Sequence, residues 1–212
     1  DVLGRNIFSQ TASLNAASFV YDVLGRLTNS VTGSGPDLRS TRFSFDAAGR
    51  LQNTVNPLGQ SFAFDYDAAD RLTQQHLPGA RTIGFGYDLN GRTASITPPG
   101  RPAHRFTNDI VNQLASYTPP VVDGVSNTER YQYNADRDST NVVRMDGQSI
   151  AFTHDATGRL IQTTYPNSES FNFSYDPGSG QLTNLSASDG NALTFGRDGA
   201  LLTSVVWTGV VT

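Results

Sequence analysis

The 212-residue chain contains no cysteine and no lysine. Without cysteine there is no disulfide framework and no thiolate metal site, so packing and hydrogen bonds must hold the fold alone. Charged residues make up only 16% of the chain, against about a quarter in ordinary globular domains, and every basic residue is arginine. A formal net charge of −4 with no basic stripe argues against nucleic acid as a partner. No apolar run approaches membrane-spanning length, and the first residues show no signal-peptide pattern. No segment combines helical periodicity with caps, so no helix is predicted.

What the chain does contain is a repeat. YDVLGRLTNS, from Tyr21, returns as FDAAGRLQNT from Phe45, YDAADRLTQQ from Tyr66, YDLNGRTASI from Tyr87 and HDATGRLIQT from His154. Marked by the acid, the copies fall at Asp1, Asp22, Asp46, Asp67, Asp88, Asp109, Asn134, Asp155 and Asp176, in steps of 21, 24, 21, 21, 21, 25, 21 and 21. The copies are unequal. That at Asp109 keeps the acid and Leu114, and that at Asn134 keeps little beyond Tyr133. The copy at Tyr175 and Asp176 carries one extra residue before Gly180. A tenth, worn copy would put Phe195 in the aromatic slot, Gly196 in the acid slot and Gly199 in the glycine slot. The two long steps coincide with TGSGPDLRS and TPPVVDGVSN, both rich in turn formers.

Each unit reads as a β-hairpin. Phe62, Phe64 and Tyr66 alternate with Ser61, Ala63 and Asp65, as do Phe171, Phe173 and Tyr175 with Asn172 and Ser174. Period two with aromatics is the pattern of a half-buried strand. Asp-x-x-Gly follows. Aspartate at the start of a type I turn accepts backbone N–H bonds, and glycine at its end tolerates the left-handed conformation. Gly4, Gly25, Gly49, Gly91 and Gly158 hold that slot. The second strand then stops at a Pro/Gly cluster such as NPLGQ or TPPGRP. About twenty strands are expected, in an all-β chain of antiparallel hairpins.

The repeated charges have two readings. A calcium ladder would need several ligands per site, and each turn here offers one carboxylate. The scaffold reading is stronger. Turn aspartates on neighbouring hairpins would form a row of like charges about 9.5 Å apart. Arg5, Arg26, Arg50, Arg71, Arg92 and Arg159 follow their aspartates by four residues and set a compensating row beside it. Arginine also forks to two carboxylates and lies flat on tyrosine rings.

No other chemistry stands out. His76, His104 and His154 lack metal-ligand spacing, and His154 occupies an aromatic slot. No serine or threonine sits in a nucleophile elbow or beside a His–Asp constellation. The sequons at Asn172 and Asn184 read as accidents of an Asn- and Ser-rich chain, and Trp207 as a strand anchor. Neither a catalytic residue nor a cofactor is assigned.

Tyr-Asp-x-x-Gly-Arg-Leu with Phe-x-Phe-x-Tyr ahead of it, over the whole chain, resembles the YD, or RHS, repeat. Bacterial Rhs toxins, the cocoon subunits of insecticidal Tc toxins and, more distantly, the teneurin ectodomain carry it. The resemblance implies a ribbon of hairpins wound as a spiral into a hollow shell. In toxin members the shell encloses a C-terminal toxic polypeptide and holds it inactive. YDPGSGQL resembles part of the aspartyl self-cleavage text of those members but sits in repeat register, so no residue is assigned self-cleavage.

Three readings of function follow. One is a non-catalytic shell segment of a large secreted or surface-exposed bacterial protein. Another is an extracellular module that holds glycans or partner chains, or joins other copies edge to edge. The third, an enzyme, has no supporting constellation. A five-bladed propeller would require a 42-residue alternation, whereas neighbouring units look alike at 21. Residues 1–212 are read as a single uncapped array, a piece of a longer repeat protein whose remaining chain is its first partner.

Overall fold

Alternating aromatic and small residues, punctuated every few positions by Asp-x-x-Gly or Pro/Gly, favour short extended segments over any helix. The computed structural model describes residues 1–10, 15–121 and 127–209, and contains nineteen strands. Among the described residues the one helical element is a 3₁₀ turn, Gly35–Asp37, within the first long insertion. Half of the second, residues 122–126 of TPPVVDGVSN, lies outside the described residues, as does Thr212.

The chain divides into two compact units, Asp1–Ala103 and His104–Thr212. The first holds β1 (Phe8–Ser9), β2 (Ala17–Tyr21), β3 (Leu27–Thr32), β4 (Arg39–Phe45), β5 (Leu51–Val55), β6 (Ser61–Tyr66), β7 (Leu72–Leu77), β8 (Arg81–Tyr87) and β9 (Thr93–Thr97). The second holds β10 (His104–Asn108), β11 (Leu114–Thr118), β12 (Glu129–Tyr133), β13 (Ser139–Val143) and β14 (Ser149–His154). It continues through β15 (Leu160–Thr164), β16 (Ser170–Tyr175), β17 (Leu182–Ala187), β18 (Ala192–Asp198) and β19 (Leu201–Thr208). Within each unit every strand pairs antiparallel with the next, making a meander.

Register sorts the side chains into two faces. Phe43, Thr54 and Phe62 lie opposite one another in succession, while Ser44, Asn53, Ala63 and His76 form the matching row on the other face. The polar face is stitched by cross-strand bonds, such as Ser61 Oγ to Asn53 Oδ1 at 2.7 Å and Gln162 Nε2 to Asn172 Oδ1 at 2.9 Å. The hairpins also share a bulge. Val20 pairs with Asn29 but Tyr21 with Leu27, which skips Thr28, and the Thr28 hydroxyl donates to the Val20 carbonyl at 3.1 Å.

Within each unit, among the described residues, neither face is covered by a second layer. Among the described residues no apolar side chain is buried, and Thr163, between Phe152 and Phe171, is the one buried residue. The aromatics are half-buried by their neighbours within the sheet.

Candidate functional site

The side chains that recur with most regular geometry are those of the repeated turn. At Asp22 the Gly25 amide donates to the Asp22 carbonyl at 3.0 Å, and the Asp22 amide donates to the Arg26 carbonyl at 2.9 Å. Gly25 adopts φ +82°, a region that disfavours any residue with a Cβ. The carboxylate is fully engaged. Oδ1 accepts the amides of Leu24 and Arg26, both at 2.9 Å, and Oδ2 accepts Arg26 Nε at 2.7 Å. The same set recurs at Asp67, Asp88 and Asp155. Asp1 and Asp46 likewise bind the arginine four residues on.

These bonds favour the ionised acid and hold it below the usual carboxylate range. At Asp22, Asp46 and Asp88 the main cause is the amide of the following arginine. At Asp67 it is the Arg71 side chain, and at Asp155 the Thr157 hydroxyl.

Five of these arginines then reach forward to the next hairpin. Arg5 lies over the Tyr21 ring, Arg26 over Phe45, Arg50 over Tyr66, Arg71 over Tyr87 and Arg159 over Tyr175, at 4.5 to 4.9 Å from the ring centroid. The ring returns a bond. The hydroxyls of Tyr66, Tyr87 and Tyr175 donate to the carbonyls of Leu51, Leu72 and Leu160 at 2.7 to 2.8 Å, and Tyr21 donates to Asn6 at 2.9 Å. In each case the acceptor is the residue directly after the arginine. Acid, arginine and the next aromatic thus form one corner that locks hairpin to hairpin.

The worn copies keep the backbone of this turn. Asp70, Asn112 and Arg137 take the glycine slot at φ +61°, +72° and +72°. Asp70 also receives Arg50 at 2.7 Å. In the copy at Asp109, Gln113 stands for arginine and donates to the Arg137 carbonyl, while the Tyr133 hydroxyl donates to Leu114, both at 2.9 Å. In the longer loop at Asp176, the carboxylate turns inward to the Ser179 amide at 2.7 Å, and the Gly180 amide donates to the Asp176 carbonyl at 2.9 Å.

The tenth copy differs from expectation. Gly196 is not in an acid slot; it lies inside β18 opposite Ser204, and Phe195 lies opposite Val205. The strands run on to a tight turn at Gly199, φ +57°, because no aspartate is present to close the wider loop earlier. Arg92 bonds its own Asp88 through Nε at 2.6 Å.

The structure also places residues that carry no repeat signal. His76 bridges Asp65, at 2.7 Å, and Thr82, at 3.3 Å, on the exposed polar face. His104 bonds the Tyr117 hydroxyl at 2.7 Å. Asn172 and Asn184 lie on β16 and β17, where both are engaged with side chains on adjacent strands. Among the described residues no group of three or more histidine or acidic side chains could hold a metal, and no helix is long and apolar enough to cross a membrane.

The fold resembles that of several solved assemblies. The crystal structure of TcdB2-TccC3-Cdc42 superposes with a TM-score of 0.66 at 15% identity, over 86% of this chain and 12% of that one. TcdB2-TccC3 without its hypervariable C-terminal region superposes at 0.67 with 14% identity, over 92% and 12%. The Photorhabdus luminescens Tc holotoxin pore gives 0.66 at 15% identity, over 86% and 12%. The present chain therefore spans about an eighth of the chains it resembles. No curated protein matches it in sequence. A model of the teneurin YD-shell family does match, over residues 5–210. With the corner repeated along nearly the same span, the chain belongs to the teneurin YD-shell family.

Proposed function

We propose that this chain is a non-catalytic wall segment of a secreted or surface-exposed bacterial shell, and that the longer protein containing it encloses a polypeptide. The observation that carries this reading is the forward corner, seen in its full form from Arg5 to Tyr21 and again from Arg159 to Tyr175. Such a corner fixes each hairpin to its neighbour without needing a buried core, which is what a wall one layer thick requires. Solved relatives in fold include TcdB2-TccC3, and a shell that holds a toxin polypeptide is the function proposed here by that likeness. The rest of its own chain and the enclosed segment are then its partners.

The test is imaging and proteolysis of the full-length parent protein. The expected result is a closed particle with internal density, and a cargo segment cut only after the wall is opened. An open particle with a freely digested cargo region would remove this reading.

A second reading, self-assembly into filaments, is favoured by β19. All eight of its residues are exposed, including Val205, Val206 and Trp207, and β18 is its strand partner among the described residues. Long apolar edge strands recruit other strands. Regular filaments formed by the purified 212-residue chain would support it.

A further inference from the structure

One corner of the second unit has an acid where the full copies have arginine, and so no cation there. Asn134 occupies the acid slot, Asp138 the arginine slot and His154 the aromatic slot. The backbone of the turn is unchanged: the Arg137 amide donates to the Asn134 carbonyl at 3.1 Å, and the Asp138 amide donates to Asn134 Oδ1 at 2.8 Å. Asp138 Oδ2 accepts Asn134 Nδ2 at 3.1 Å.

The Asp138 carboxylate also occupies the arginine's place in space. In four other corners an arginine Nη1 lies 3.4 to 3.6 Å from where a Cβ would stand on the glycine of the next turn, at Gly25, Gly49, Gly91 and Gly180. At Gly158 the neighbour is the Asp138 carboxylate, at 3.7 Å. A ring face is electron-rich, which suits a guanidinium and not a carboxylate.

The return bond is missing too. Where a tyrosine donates back to the previous hairpin, His154 leaves Nδ1 buried with no hydrogen-bond partner. A buried polar atom without a partner weakens the place where it sits. The turn adds strain of its own, because Arg137 holds φ +72° where most copies have glycine.

We propose that the Asn134–Asp138–His154 corner is a built-in joint: β13 parts from β14 there before neighbouring hairpins separate at any arginine corner. The ribbon opens at this point, so hairpin β12–β13 and hairpin β14–β15 come apart as two intact pieces. The charged groups around the joint are Asp138, Asp136 and Arg137 on one side, and the Asp155–Arg159 ion pair on the other. None of them replaces the missing guanidinium over the ring.

Amide hydrogen exchange on the full 212-residue chain tests this. Protection of Val142 and Ile150, opposite each other in β13–β14 with amides that point across the seam, should be at least tenfold weaker than that of the matching pair Thr54 and Phe62 in β5–β6, beneath the Arg50–Tyr66 corner. Rebuilding the motif with Asn134→Asp, Asp138→Arg and His154→Tyr should restore protection in β13–β14 and leave β5–β6 unchanged. Removing a standard corner with Arg50→Ala should make β5–β6 exchange as fast as β13–β14. Equal protection of the two pairs in the natural chain overturns the proposal. So does a folded, rebuilt variant whose β13–β14 amides exchange as before. If that variant does not fold, Arg50→Ala decides: unchanged exchange in β5–β6 overturns the premise that corners hold hairpins together.

Discussion

The guanidinium carbon of Arg50 lies 4.8 Å from the centroid of the Tyr66 ring, on the hairpin that follows its own. The same arginine binds Asp46 at 2.7 Å and donates to the Asp67 carbonyl at 3.1 Å. One side chain therefore touches two consecutive turns and the aromatic between them. Its value lies in that geometry, since an exposed ion pair alone contributes little.

Arginine and lysine should not be interchangeable at this slot. Arg71→Lys keeps the charge but loses the flat stack on Tyr87 and the fork that places Nε and Nη2 on Asp67. A lower melting temperature is expected for Arg71→Lys, nearly as low as for Arg71→Ala. A lysine variant that melts with the natural chain would show that charge alone suffices.

The aromatic slot offers a matched pair of tests. Tyr66→Phe removes the bond to the Leu51 carbonyl and should cost about 1 kcal/mol in denaturant unfolding. Phe45 already lacks the hydroxyl, so Phe45→Tyr should gain a similar amount, about 1 kcal/mol, by donating to the Leu27 carbonyl. Opposite signs at the two positions are the informative outcome.

Gly91 adopts φ +81°. Gly91→Val should destabilise the chain by about 1–2 kcal/mol or more, because a β-branched residue is strained there. Gly91→Asn should cost less, since Asn112 adopts that conformation at φ +72°. The two midpoints in urea distinguish strain from loss of glycine as such.

Acid should weaken the array. The carboxylates of Asp22, Asp46, Asp67, Asp88 and Asp155 are held below their ordinary range, chiefly by backbone and side-chain donors of their own turns. The unfolded chain then binds protons more readily than the folded one, so this stabilisation is present above about pH 4 and is lost as the pH falls below it. Melting temperature recorded from pH 6 to pH 2 should fall across that window. Asp88→Asn should melt lower at pH 6 and show a shallower slope.

A chelator should leave melting unchanged. Asp88 spends Oδ1 on two amides and Oδ2 on Arg92, which leaves no ordered set of oxygens for a cation. A drop of several degrees in EDTA would return the calcium reading to consideration.

Much of this was legible in the residues. Alternation around Phe62 and Phe171, and Asp-x-x-Gly after each, identify hairpins because strand and turn chemistry are local. The forward reach of arginine was not legible, because it depends on which strands pair. Arg50 and Tyr66 become neighbours only once β5 lies against β6. The bulge at Thr28 was also hidden, although the recurring Leu-Thr is its trace: Thr73 and Thr183 donate to opposite carbonyls in the same way, at 3.1 and 3.0 Å. The copies at Asp109 and Asn134 look worn in sequence, yet Asn112 and Arg137 reach glycine's conformation without glycine. Gly196 falls outside the acid slot because a motif frame carried across a missing aspartate no longer follows the backbone.

With no buried apolar core among the described residues, each hairpin answers to the one before and the one after it. Array length is then a free variable for evolution. Duplicating one segment of about twenty-one residues adds a hairpin and its fastening in a single step, and asks for no compensating change elsewhere.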